Sequence, residues 1–223
     1  VQFSMSAPAH AAIAIDGPAA SGKSTIARRL ASRLGLVVVN SGAMYRAVTW
    51  EVLRRGINPA DSGAVVAALE EMEIVCGVSD GHSTILVNGV DPGDELRGEA
   101  VNHCVSAIAA VPAVRQRLVA MQRDYRQRMS VVMEGRDIGS VVFPDTPFKL
   151  YIDASEEVRQ ARRQADGGND TVSSRDEADS SRATAPLIVA EGATVVDTSL
   201  LDVDETVEAV LEVLTAQGWA GGS

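Results

Sequence analysis

The sequence predicts an α/β protein in which a central, mostly parallel sheet carries helices on both faces. Three observations predict it. Two short apolar runs, Ala11 to Ile15 (AAIAI) and Leu36 to Val39 (LVVV), have the unbroken hydrophobicity of strands buried on both faces. Between them Ile26, Leu30 and Leu34 recur at helical spacing. The alternation returns later, with strand-like runs at Ser130 to Met133, Phe148 to Ile152 and Ala193 to Asp197 and helical stretches among them.

Taken in order, the first strand ends at Asp16 and a glycine-rich turn. A helix begins near Gly22 and stops at Gly35, a residue suited to the left-handed C-cap. After the second strand a helix covers Ala43 to Arg54, ending before Gly56 and Pro59. The rhythm then changes. Glu73 to Val78 and Thr84 to Asn88 read as strands around an Asp80-Gly81 turn that is wider than a two-residue hairpin loop. Residues 61–94 thus form an insertion with a small antiparallel element. Helices follow over Glu99 to Ala109 and Ala113 to Met129, with Pro112 at the start of the second. Ser155 can cap a helix that runs to Ala165. Asp166 to Ser181 is rich in Gly, Ser, Asp and Arg and reads as an exposed, mobile loop. A helix over Val203 to Thr215 closes the chain. The expected organisation is a core of 11–60 and 130–217, carrying a lid at 163–182, and an insertion with connecting helices at 61–129.

At 223 residues the chain can bury a core without staples. Cys76 and Cys104 make no disulfide framework and read as small apolar packing residues. The three histidines lack metal-ligand spacing. No apolar run approaches the roughly 20 residues that span a bilayer, and the start VQFSMSAPAH lacks a secretory pattern. A cytoplasmic location with no membrane attachment is expected. The net charge of −10 argues against a nucleic-acid binder. No long apolar seam appears, so a monomer is expected. Of the 20 basic residues all but Lys23 and Lys149 are arginine, which singles out those two lysines for inspection. The run Arg115, Arg117, Arg123, Arg126 and Arg128 reads mostly as a solvated helix face.

Gly17-Pro18-Ala19-Ala20-Ser21-Gly22-Lys23-Ser24, followed by Thr25, matches G-x-x-x-x-G-K-[ST] between an apolar strand and an amphipathic helix. Phosphate oxygens need several N–H donors in a concave backbone, and glycines let the backbone curl. The helix N-terminus adds positive partial charge. Lys23 can reach the β- and γ-phosphates of ATP, and Ser24 can ligate Mg²⁺. The motif predicts a P-loop NTPase core without naming the reaction. A GTPase is excluded because no Asn-Lys pair exists for reading guanine. The strand Val131-Val132-Met133 ends in Glu134-Gly135-Arg136-Asp137 where a Walker-B aspartate would stand. An arginine at that strand end suits a second phosphate group, which favours a kinase with an anionic acceptor.

Three further segments carry a more specific likeness: Asn40-Ser41-Gly42-Ala43-Met44-Tyr45-Arg46, Glu134-Gly135-Arg136-Asp137-Ile138-Gly139 and Ser181-Arg182-Ala183-Thr184-Ala185-Pro186-Leu187. With the phosphate-loop motif they resemble bacterial cytidylate kinases from about Ala12 to Leu214. The resemblance implies transfer from ATP, with Mg²⁺, to CMP or dCMP, and a monophosphate-binding insertion. It implies that Arg46, Arg136 and Arg182 clamp the acceptor phosphate and the transferring group, a task for planar, permanently charged donors. Ser41 resembles a contact at the same site. Ser106, Arg115 and Asp137 are similar to residues that read cytosine, Asp179 to a ribose contact and Arg175 to a mobile-loop residue. Asn40 departs from the family's usual aspartate, Ala178 replaces a common arginine, and the stretch between Arg163 and Arg175 is shorter than the family's lid. Two alternatives stand beside this reading: a P-loop kinase for another acceptor (UMP, AMP or shikimate), and an ATP-dependent regulatory protein.

Overall fold

β1 (Ala12–Asp16) is buried at every residue, because it lies between neighbouring strands and beneath helices on both faces. The structure, a computed structural model, describes residues 10–165, 176 and 187–221. β1 pairs in parallel with β5 (Val131–Gly135) on one side and β6 (Lys149–Asp153) on the other. β2 (Val37–Asn40) adds to β5, and β7 (Thr194–Asp197) to β6, both in parallel. β3 (Ile74–Ser79) and β4 (His82–Val87) form an antiparallel pair. β4 joins β2 through Val38 and His82, so the sheet has seven strands in the order β3-β4-β2-β5-β1-β6-β7.

Alternation along the strands sorts the core. Ile13, Ile15, Val132, Leu150 and Ile152 face α1 (Lys23–Leu34) and α7 (Val203–Ala216). Ala12, Ala14 and Met133 face the opposite way, toward α5 (Pro112–Arg128) and a one-turn π-helix at Ile138–Val142. A third apolar cluster joins α2 (Ser41–Arg54), α3 (Ser62–Glu71), the hairpin, α4 (Glu99–Ala110) and α5. α6 (Glu156–Ala165) leaves the end of β6. Among the described residues no single helix is long and apolar enough to cross a membrane.

Most expected elements are present, and the differences have local causes. α2 begins at Ser41, two residues early, because the Asn40 side chain accepts from Ala43 N at 3.0 Å and caps it. The hairpin turn is the two-residue kind, not a wider one: pairing runs to Ser79 and His82, and Asp80 and Gly81 both take positive φ, 50° and 76°. α3 and a 3₁₀ turn at Gly93–Arg97 were not expected. Cys76 and Cys104 are free thiols and half-buried.

The arginine run on α5 is not mostly solvated. Arg117 donates to the carbonyls of Leu69 and Met72 at the end of α3. Arg123 donates to those of Val141 (2.7 Å) and Val142 (3.0 Å). Arg126 pairs with Asp145 at 2.8 Å. Carbonyls at the ends of helical turns have spare acceptor capacity, and α5 crosses two such ends.

Candidate active site

The glycine-rich loop leaves β1 at Gly17, where an added Cβ would lie 2.1 Å from the Ile152 carbonyl oxygen. Any larger residue would push the loop off β6. The loop closes at Gly22, whose φ of 91° turns the chain into α1. Carbonyls on the loop's outer side are held by groups from elsewhere: Ala19 O by Arg159 (3.2 Å), and Ser21 O by Arg162 (3.2 Å) and Thr198 (3.3 Å). One loop amide, Ala19 N, donates to the Asp176 carboxylate at 3.1 Å, so an anionic oxygen already rests on it. Arg159 donates to the same carboxylate. Lys23 is buried, and its ammonium donates to Pro18 O at 2.9 Å. Ser24 Oγ donates to Glu134 Oε1 at 2.7 Å.

The facing wall grows from the next strand tip. β5 ends at Gly135, where a Cβ would stand 2.5 Å from Ser41 Oγ and 2.7 Å from Ile138 Cδ1. That absence lets Ser41 donate to Glu134 O at 2.8 Å and brings the start of α2 against the strand end. Arg136 Nη1 donates to Gly17 O at 2.8 Å, reaching the base of the phosphate loop. Arg115 and Asp137 form a buried ion pair, and the Arg115 guanidinium lies 5.7 Å from the Tyr45 ring centroid. Asp16, on β1, accepts from Ile138 N and Gly139 N. Burial pushes its carboxyl up from the ordinary 3.8 to about 6, with the two amides acting in the opposite direction.

A cavity of about 670 Å³ joins the two walls. Ala19, Ala20, Ser21, Gly22, Lys23, Ser24 and Thr25 line one side, and Ser41, Arg46, Ser106, Arg115, Arg136 and Asp137 the other. Gly17 and Pro18 stand behind this lining and take part through their carbonyls. Asp179 and Arg182, with Arg175, lie outside the described residues.

Sequence reasoning missed several groups. Glu134 was read as the absence of a Walker-B aspartate, yet its side chain holds Ser24. The readable signal was an acid directly after three apolar strand residues. Arg159 and Arg162 sit one helical turn apart on α6 and converge on the phosphate loop. Leu201 and Val203, beside Thr198, line the cavity at the far end of that loop.

A family profile described as cytidylate kinase matches residues 13–216. Curated relatives named cytidylate kinase include one from Corynebacterium diphtheriae, 42% identical over 91% of this chain and 93% of its own length. Another, from Mycobacterium leprae, is 43% identical over 93% of this chain and 97% of its own. A shikimate kinase from Acinetobacter baumannii, solved with shikimate, is 14% identical at a TM-score of 0.48, covering 95% of this chain and 96% of that one.

Proposed function

The chain belongs to the cytidylate kinase family, and from that membership we propose that it moves the γ-phosphoryl group of ATP onto CMP or dCMP, giving ADP with CDP or dCDP. The observation that carries the reading is the single cavity with Lys23 on one wall and Arg136 on the other. Its volume of about 670 Å³ lies within the roughly 300–1,000 Å³ typical of ligand pockets.

In this reading the loop amides from Ala19 to Thr25 cradle the donor phosphates, and Lys23 exchanges Pro18 O for β- and γ-phosphate oxygens. Arg46 and Arg136, with Arg182 beyond the described residues, grip the acceptor phosphate and the transferring group. Ser41 adds a hydroxyl at the same site. Arg115 and Asp137 read cytosine: an arginine donates to O2 and N3, and a carboxylate accepts from the N4 amino group. Uracil would turn a carbonyl toward that carboxylate. Ser106 lines this end, and Asp179 is assigned to the ribose. The acceptor oxygen is ionised near neutral pH, so no general base is required. It bonds to the γ-phosphorus as the bond to the β–γ bridging oxygen breaks, and ADP leaves with that electron pair.

Ser24 and Glu134 present two hard oxygen donors side by side, which suits Mg²⁺ held largely by phosphates and water. Among the described residues no cluster of three or more His, Cys, Asp or Glu side chains forms a dedicated metal cage. Held there by Ser24 and Glu134, Mg²⁺ would supply positive charge that neutralises the phosphates. A lid over residues 163–182, most of which lie outside the described residues, is assigned to excluding water during transfer. The reading also takes the enzyme as a cytoplasmic monomer with small-molecule partners, no membrane attachment and no nucleic-acid partner. The net charge of −10 supports the last point.

A coupled ADP-release assay with CMP, dCMP, UMP, AMP and shikimate tests the reading. CMP and dCMP should give the highest kcat/KM. Equal ADP release without any acceptor would point to a regulatory ATPase instead.

A further inference from the structure

Asp16 is a buried carboxylate, 3% exposed, that the reaction outlined above does not use. Its two oxygens reach past the end of the neighbouring strand. Oδ1 accepts from Ile138 N and Oδ2 from Gly139 N, both at 2.8 Å. Those amides open the π-helical turn directly after Arg136 and Asp137. The main-chain ladder between β1 and β5 stops at Asp16 and Gly135, so strand pairing with β1 does not extend to Arg136. A second tie, from Arg136 to Gly17 O, uses the guanidinium assigned to phosphate and therefore competes with substrate. The Asp16 tie does not.

We infer that Asp16 is a positioning residue for phosphoryl transfer, fixing the turn that bears Arg136 and Asp137 against the tip of the strand that opens the phosphate cradle. This rests on the assignment of those two residues to the acceptor. The surroundings are built for it. At Gly139 an added Cβ would meet Lys149 Cδ and Ala190 Cβ at 3.3 Å and Asp16 Oδ2 at 3.4 Å, so a side chain there would press on the turn and on the clamp. Arg123 holds the carbonyls at the other end of the turn. An ionised carboxylate accepts both N–H groups, whereas a protonated one turns an oxygen into a donor. The ionisable groups facing Asp16 are Asp137 on the turn, Lys23 on α1 and Tyr151 on β6.

Asp16→Asn replaces one acceptor oxygen with an NH₂ group that confronts a backbone N–H. Amide exchange followed by NMR reads the clamp with no substrate present. Ile138 and Gly139 should exchange about tenfold faster in the variant, while the amides of Ile26 to Leu30 in α1 keep wild-type rates. Steady-state kinetics at about pH 8, above the titration of the wild-type carboxyl, should show the acceptor KM raised about tenfold and kcat lowered. The KM for ATP should stay at the wild-type value. Wild-type exchange at Ile138 and Gly139 would overturn the inference. So would a parallel rise in both KM values, or a lower kcat with both KM values intact. If Asp16→Asn does not fold, Gly139→Ala crowds the same contact and keeps the carboxylate. It should give the acceptor-selective pattern at smaller amplitude, and a silent Gly139→Ala overturns the inference. A wild-type enzyme that makes no CDP removes the acceptor assignment, and the exchange rates then still decide whether the clamp exists.

Discussion

In the proposed reading, Lys23 carries the chemistry hardest to replace among single residues. Its ammonium is buried in the phosphate loop and donates to the Pro18 carbonyl, which places it beside the loop amides. Lys23→Met keeps the length and removes the charge. The expected outcome is a fall in kcat of about a thousandfold or more, with an unchanged circular-dichroism spectrum. Asp137→Asn tests base reading: kcat/KM should fall more for CMP than for UMP, and an unchanged CMP/UMP ratio would remove Asp137 from that role. Asp16 gives a stability prediction of definite sign. Its carboxyl titrates near 6 in the fold and at 3.8 when unfolded, so the folded chain holds the proton more tightly between those values. This residue's contribution is therefore greatest below pH 3.8 and is lost as pH rises through 6, by about 3 kcal/mol in all. In urea denaturation at pH 7 and pH 5, Asp16→Asn should lack that component. The motif residues were legible because their chemistry is local. Glu134 and Asp16 were not, since their partners lie 110 and about 122 positions away along the chain.

Element by element, legibility followed pattern strength. Strands buried on both faces announce themselves through unbroken apolar runs, and capped amphipathic helices through their period. α3 has contiguous apolar residues from Ala64 to Leu69 and so no clear helical period, although the Asp61 side chain caps it at Ala64 N, 3.0 Å. The π-helical turn has no sequence signature; its ends are held by Asp16 and Arg123 from distant elements. Two predictions belong here. Gly135→Ala should abolish activity, because its Cβ would collide with Ser41 Oγ and Ile138 Cδ1 and drive α2 away from the β5 tip; loss of turnover with a folded chain is the readout. Glu51, fully buried on α2, accepts from Arg54 (2.7 Å), Arg55 (2.7 Å) and Asn88 (2.8 Å), fastening that helix to the hairpin. Glu51→Ala removes these bonds while Arg54, half exposed, still reaches water, and should lower unfolding stability by about 1–2 kcal/mol, measured by urea titration.

On the scale of the whole molecule, the parallel core was readable and the place of the hairpin was not. Its attachment to the main sheet includes the Val38–His82 pairing and the bonds from Val38 N to Gly81 O (2.9 Å) and from Asn40 N to Ser83 Oγ (3.2 Å), contacts with no periodic trace in the chain. The cavity that spans both walls yields a further expectation. A bisubstrate analogue joining adenosine and cytidine through a polyphosphate should raise the Tm well above the shift from ATP or CMP alone, because one ligand engages both walls at once. A thermal-shift series reads this directly.

β1 and β5, the adjacent strands that end at the two walls, act as a ruler. Parallel neighbours sit about 4.8 Å apart by virtue of peptide hydrogen bonding, and no side chain sets that interval. The spacing of the two strand tips is thus calibrated by the main chain, and the Asp16 carboxylate carries it on to the turn that bears Arg136. On the proposed assignment, Ser106 and Asp137 can then change toward a different base without altering the spacing of the two strand tips.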